Sequence, residues 1–164
     1  VMIGGGADID DRRRDALLYQ QPSSVRVDYA RLLVDISVSM LRSIQDEARK
    51  TCHTLNLAIP MHPDHLPSFV GGIFRRCRVT YSILIVGLLY LLRLRHALPR
   101  RSSFALEAEK NRSDFSCRAF VVALLLATKF LSDRHANNAA WAATHNMTLA
   151  ELNRAEALFM DAIE

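Results

Sequence analysis

The sequence predicts an all-α fold, and three observations carry that reading. Half of the 164 residues are hydrophobic, enough to bury a substantial core in one domain. Only six glycines and five prolines interrupt the chain. The apolar residues gather in runs at 83–92 and 119–127, inside stretches of helical rather than strand length.

Taken in order, residues 1–24 are polar, with a glycine triplet and mixed charges, and are expected to form a flexible tail ahead of a domain over 25–164. From Val25 to about Cys52, Val27, Ala30, Leu33, Val34, Ile36, Met40 and Leu41 recur at three- and four-residue steps, the pattern of an amphipathic helix. A loop with Pro60, Pro63 and Pro67 follows, then a short helix from about Leu66 to Phe74. A longer helix is predicted from about Tyr81 to Ala97, stopped by Pro99, which lacks the N–H needed to continue it. The stretch RRSSFALEAEKNRS reads as an exposed loop, and Ser113 with Asp114 as the start of a helix over about 114–132. A short helix is expected around 138–144. The last helix is announced by Thr148-x-x-Glu151, a capping box in which each residue satisfies a backbone donor of the other.

Both apolar runs are shorter than the roughly 20 residues a membrane span needs, so both are expected to be buried core helices. The amino end lacks the basic-then-apolar order of a signal peptide. The chain starts at Val1 and stops at Glu164 within a helical pattern, as a piece of a longer protein would. Cys52, Cys77 and Cys117 are odd in number and lack C-x-x-C spacing, which suits reduced core thiols inside a cell, in nucleus, cytoplasm or both. The net charge of +4 comes from 21 Lys+Arg against 17 Asp+Glu, with arginines clustered at 12–14, 75–78, 93–95 and 100–101. No aromatic residues interleave with these clusters as a nucleic-acid platform would require, so they read as a solvated surface.

Catalytic chemistry finds no foothold. The IGGGAD stretch lacks the preceding strand and following apolar helix of a phosphate loop. In MHPDH, His62, Asp64 and His65 sit on a proline-rich loop without a partnering ligand motif, so no metal site is assigned. No Ser/His/Asp set or carboxylate pair stands out. Neither an enzymatic activity nor a cofactor is expected.

Two charges at otherwise apolar sites need an explanation. Lys129 follows the apolar run at 119–127 and precedes Phe130 and Leu131. Glu156 falls within the apolar face formed by Leu149, Leu152, Phe159, Met160 and Ile163 of the last helix. Lys129 can sit at a helix C-terminus, where the dipole favours a cation, with Glu156 at the edge of the core. The two can equally form an internal salt bridge. A third reading is a binding site, because opposite charges in an apolar surface suit a partner that brings unpaired backbone carbonyls and amides.

The stretches RCRVTYSILIVGLLYLLRL (76–94), CRAFVVALLLATKFLSDRHANNAAWA (117–142) and MTLAELNRAEALFMDAI (147–163) resemble the cyclin box, in particular that of the fungal Pcl and phosphate-pathway cyclins. The resemblance covers about residues 64–163. Its most specific parts are A-x-K-F-L-x-D around Lys129, N-x-x-W at Asn138 to Trp141 and L-N-x-x-E at Leu152 to Glu156, in that order. It implies a single cyclin-box domain of about five helices with an additional N-terminal helix. The implied function is a regulatory subunit that binds and activates a cyclin-dependent protein kinase and helps select its substrates, in the cell cycle or in phosphate signalling. Residues matching Lys129 and Glu156 hold the kinase backbone near its regulatory helix, and those matching Phe130 and Met160 pack on that helix. The alternatives are a cyclin-fold module binding DNA or transcription proteins, although such proteins usually carry two boxes, and a helical adaptor with no kinase partner. This sequence departs from the family at Leu92, where an Asp is usual. Trp141 is expected as a core anchor, and Gly87 as a point of close helix packing.

Overall fold

The computed structural model describes residues 23–54, 65–77, 79–100, 115–132 and 137–164. The expected tail over residues 1–24 lies outside these except for its last two residues. So do most of the loop after Arg100, the candidate helix start at Ser113 and Asp114, and His62 and Asp64 of the rejected metal motif. The described residues form six α-helices, with one 3-10 turn and no strand among them. They are α1 (Ser23–Thr54), α2 (Leu66–Cys77), α3 (Tyr81–Ala97), α4 (Phe115–Leu131), α5 (Asn138–Thr144) and α6 (Leu149–Ile163), with the 3-10 turn Leu98–Arg100 after α3.

α4 runs through the middle because its sequence is apolar on every side. Cys117, Ala119 to Leu125 and Ala127 are all buried, which an amphipathic helix could not allow. α1, α3 and α6 pack around it. α3 and α4 approach closely at Gly87 of α3, where an added Cβ would stand 2.9 Å from Leu124 Cδ2. Glycine there lets two helix axes come nearer than side chains would permit. α1 buries Val38, Leu41, Ile44 and Ala48, and the buried Ser116 hydroxyl of α4 donates to Gln45 Oε1 at 3.2 Å, satisfying a polar group that would otherwise be costly in the core. The first turns of α1, from Asp28 to Ile36, contain no buried residue.

α3 corrects one expectation. Leu84, Gly87, Leu91 and Leu94 are buried, and Leu98 after them. Yet Ile85 and Leu89, inside the run expected to be buried throughout, remain 37% and 54% exposed. Its neighbours cover only one side of α3, so the residues on its outer side keep their contact with solvent. Residues Tyr81–Arg100 are long and apolar enough to cross a membrane by length and composition. Here one side of that stretch packs on α1 and α4.

The ends of the helices have local causes. Thr80 caps α3 by accepting from the Ile83 amide. Asn137 caps α5 through its Oδ1, which accepts from the Ala139 amide at 2.9 Å. α5 closes where the Ala142 carbonyl accepts from both the His145 and Met147 amides, with Asn146 at φ 52 between them. Asn tolerates this left-handed conformation better than other residues with a Cβ. The capping box of α6 forms as its sequence requires, Glu151 Oε2 accepting from the Thr148 amide at 2.8 Å and Thr148 Oγ1 from the Glu151 amide at 3.2 Å.

Candidate docking site

Two helix ends and the side of a third helix meet at one edge of the domain: the C-terminus of α4, the N-terminus of α5 and one side of α6. α4 leaves the core at its last turn, so Lys129, Phe130 and Leu131 follow the buried Ala127 directly into solvent. Phe130 is 72% exposed. On α6, Leu149, Asn153, Glu156 and Met160 recur at four-, three- and four-residue steps and so share one side of the helix. Leu152, Phe159 and Ala162, on the side of α6 that packs on α3 and α4, fill the core instead.

This placement corrects the reading of α6 as one apolar face. Leu152 and Phe159 are buried, but Leu149 and Met160 are exposed. The apolar sector is wider than the core, and its outer margin is surface.

Lys129 and Glu156 are brought together directly. Lys129 Nζ donates to Glu156 Oε1 at 2.5 Å, across 27 residues of sequence. Their side chains are 35% and 18% exposed, so this is a partly hydrated pair at the edge of the domain, not an ion pair sealed in its core. Each partner therefore retains hydrogen-bonding capacity toward solvent or a second molecule. Phe130 and Met160 stand on the same helices beside the pair. All four residues predicted for the site thus lie along the α4 and α6 margins.

Asn138 and Asn153, which lie within the N-x-x-W and L-N-x-x-E motifs but carried no expected role, complete the cluster. Asn138 Nδ2 donates to Glu156 Oε2 at 2.8 Å and to Asn153 Oδ1 at 2.8 Å. A signal for Asn153 was present, since residues three apart on a helix are neighbours. For Asn138 there was none, because its position depends on how α5 packs on α6.

A second polar cluster lies elsewhere. Cys77 Sγ at the end of α2 is 3.7 Å from His145 Nε2, and the His145 ring lies 5.9 Å from Trp141 and 6.4 Å from Phe69, centroid to centroid. Burial, helped by the nearby Arg76 cation, lowers the His145 pKa to about 4. Burial also raises the Cys77 thiol above its ordinary value, with Arg76 opposing. A neutral ring against a protonated thiol is the arrangement both shifts favour, and it is a packing contact, not a nucleophile. Cys77 and Cys117 are free thiols. Trp141 is half-buried and packs against the core, as an anchor should. Among the described residues no group of three or more His, Cys, Asp or Glu is placed to hold a metal.

The described residues thus form an all-α domain that carries, at one edge, a partly hydrated charged pair beside exposed apolar side chains. The cyclin family model matches residues 47–164, and the chain belongs to that family. It is 30% identical over 134 residues to the G1/S-specific cyclin pas1 of Schizosaccharomyces pombe. That alignment covers 82% of this chain and 30% of the relative, so the chain spans under a third of that protein's length. No solved structure matches at comparable stringency. The five helices α2 to α6 with α1 ahead of them are the architecture that the Pcl-like cyclin resemblance implied.

Proposed function

We propose that this domain is the regulatory subunit of a cyclin-dependent protein kinase, docking through Lys129, Phe130, Glu156 and Met160 to favour the active arrangement of the kinase's regulatory helix. The observation that carries the proposal is the Lys129–Glu156 pair, partly hydrated and flanked by exposed Phe130 and Met160. Phe130 and Met160 supply apolar area to a helix surface. The lysine donates to backbone carbonyls at its end and the glutamate accepts from amides, so the partner's polar groups are satisfied as water leaves. To activate, the contact must be tighter with the active kinase than with the inactive one. Substrate selection, a role in cell-cycle or phosphate signalling, and action in nucleus, cytoplasm or both complete this reading.

The test is capture of a kinase on the immobilised chain, its identification by mass spectrometry, and affinity and activation assays with the purified kinase. Lys129→Ala and Glu156→Ala should each weaken binding by about 2 kcal/mol or more, roughly thirtyfold. The melting temperature should stay nearly constant, because a partly exposed ion pair contributes only about 0–1 kcal/mol to stability. Lost stability with kinase affinity intact would sink the docking assignment.

A further inference from the structure

We propose that Asn138 is a positioning residue for docking: it fixes the carboxylate plane of Glu156, and Asn153 in turn fixes Asn138. The inference rests on the docking role of Glu156. An Asn side-chain amide has two N–H donors, and both are committed here, one to Glu156 Oε2 and one to Asn153 Oδ1, each at 2.8 Å. The carboxylate accepts only, so the amide nitrogen of Asn138 must face it and the flip is determined by chemistry. Lys129 holds the other oxygen, Oε1. Glu156 is therefore gripped at both oxygens, from α4 on one side and α5 on the other.

This grip has a consequence for recognition. A free glutamate samples many rotamers, and a partner must immobilise it on binding. Here the immobilisation is already present in the unbound domain. Each carboxylate oxygen keeps a second lone-pair direction, so a partner's backbone amide can be accepted without displacing either grip. Asn138 itself is held by its place in the chain, as the first residue of α5 next to the capping Asn137. Asn153 lies one turn before Glu156 on α6, so the acceptor that orients Asn138 moves with the residue being oriented.

The test measures affinity for the purified kinase that the wild-type chain retains, together with thermal unfolding, on Asn138→Ala, Asn138→Asp, Glu156→Ala and the double variant Asn138→Ala/Glu156→Ala. Asn138→Ala should weaken binding roughly tenfold, the scale of having to order one long side chain on association. Asn138→Asp keeps the shape but sets a second carboxylate against Glu156 beside Lys129, so it should weaken binding further than Asn138→Ala. In the Glu156→Ala background the Asn138→Ala change should have no additional effect, since a positioning residue acts only through what it positions. A residue that merely supports the fold would lower the melting temperature and add its effect in both backgrounds. Additive effects, or an Asn138→Asp protein that binds like wild type, would overturn the inference while leaving Glu156 in its docking role. An unchanged affinity of Glu156→Ala would remove the docking reading and this inference with it.

Discussion

His145 shows what single residues contribute beyond the docking edge. Its ring is packed between Phe69 and Trp141, facing Cys77, and its pKa is lowered to about 4 from an ordinary 6.5, first by burial and then by Arg76. The unfolded chain therefore binds a proton at a pH where the folded one does not. Stability should be complete above pH about 6.5 and fall as the pH drops toward 4. Allowing for the ring's partial exposure, the loss between pH 6.5 and 5 should be about 1 kcal/mol. Thermal unfolding of wild type and His145→Phe at pH 7 and pH 5 checks this, because the phenylalanine fits an aromatic site and removes the slope. Equal slopes in both proteins would contradict it. Nothing in the sequence around His145 announced the contact, since Cys77 lies 68 residues away.

At the scale of elements, two sites test why these helices begin and pack where they do. The capping box at Thr148 joins the α5 turn to α6, and its backbone N–H is the main reason the Glu151 carboxyl titrates below its usual range. Thr148→Ala should cost about 1 kcal/mol by denaturant unfolding. The Glu151 carboxyl should stay below its usual range, because the backbone N–H remains, and should rise only by the smaller share the hydroxyl contributed, visible by NMR. Gly87 tests the crossing of α3 and α4. Gly87→Val forces branched methyls into the space held by the fully buried Leu124, so either the Leu124 side chain or the helix crossing must shift. That overpacking should cost about 1–3 kcal/mol, against any gain from removing a helical glycine. A Gly87→Val protein as stable as wild type would mean the contact is loose. Both features were legible in the sequence, one as a motif and the other as a lone glycine in an apolar helix. The reason is that helix starts and close crossings demand particular residue types locally.

The whole molecule divides its large apolar side chains between a core and a margin, and the two should respond oppositely to mutation. Phe120 is fully buried against Phe74 and the rest of the core, with ring centroids 6.4 Å apart. Phe120→Ala should cost about 3–5 kcal/mol of stability, the range for emptying a well-packed site. Phe130, 72% exposed ten residues further along α4, has little left to lose on unfolding. Phe130→Ala should change stability by less than about 0.5 kcal/mol yet weaken kinase affinity at least tenfold, as an exposed aromatic anchor does. Differential scanning fluorimetry and kinase binding on the same two variants read the division directly.

By itself the sequence determined the helices and most of their limits. Pro99 after α3, Asn137 before α5 and Thr148 before α6 act on the backbone within a turn of their own positions, so α3 and α5 appear with the bounds expected of them. The order of the three motifs and the charge at Lys129 were equally visible, and they carried the family resemblance. What only the tertiary structure decided was which part of each apolar sector meets a neighbour. Periodicity reports that Leu149, Leu152, Phe159 and Met160 are apolar and on adjacent sides of α6. It does not say that the packing of α6 on α3 and α4 buries Leu152 and Phe159 while leaving Leu149 and Met160 at the surface. In the same way Ile85 and Leu89 belong to an apolar run but stand outside the contact that buries Leu84 and Leu91. The grip of Lys129 and Asn138 on the two oxygens of Glu156 depends on three helices arriving together. Local patterning sets what a helix can bury, whereas the packing angle and the neighbours present set what it does bury.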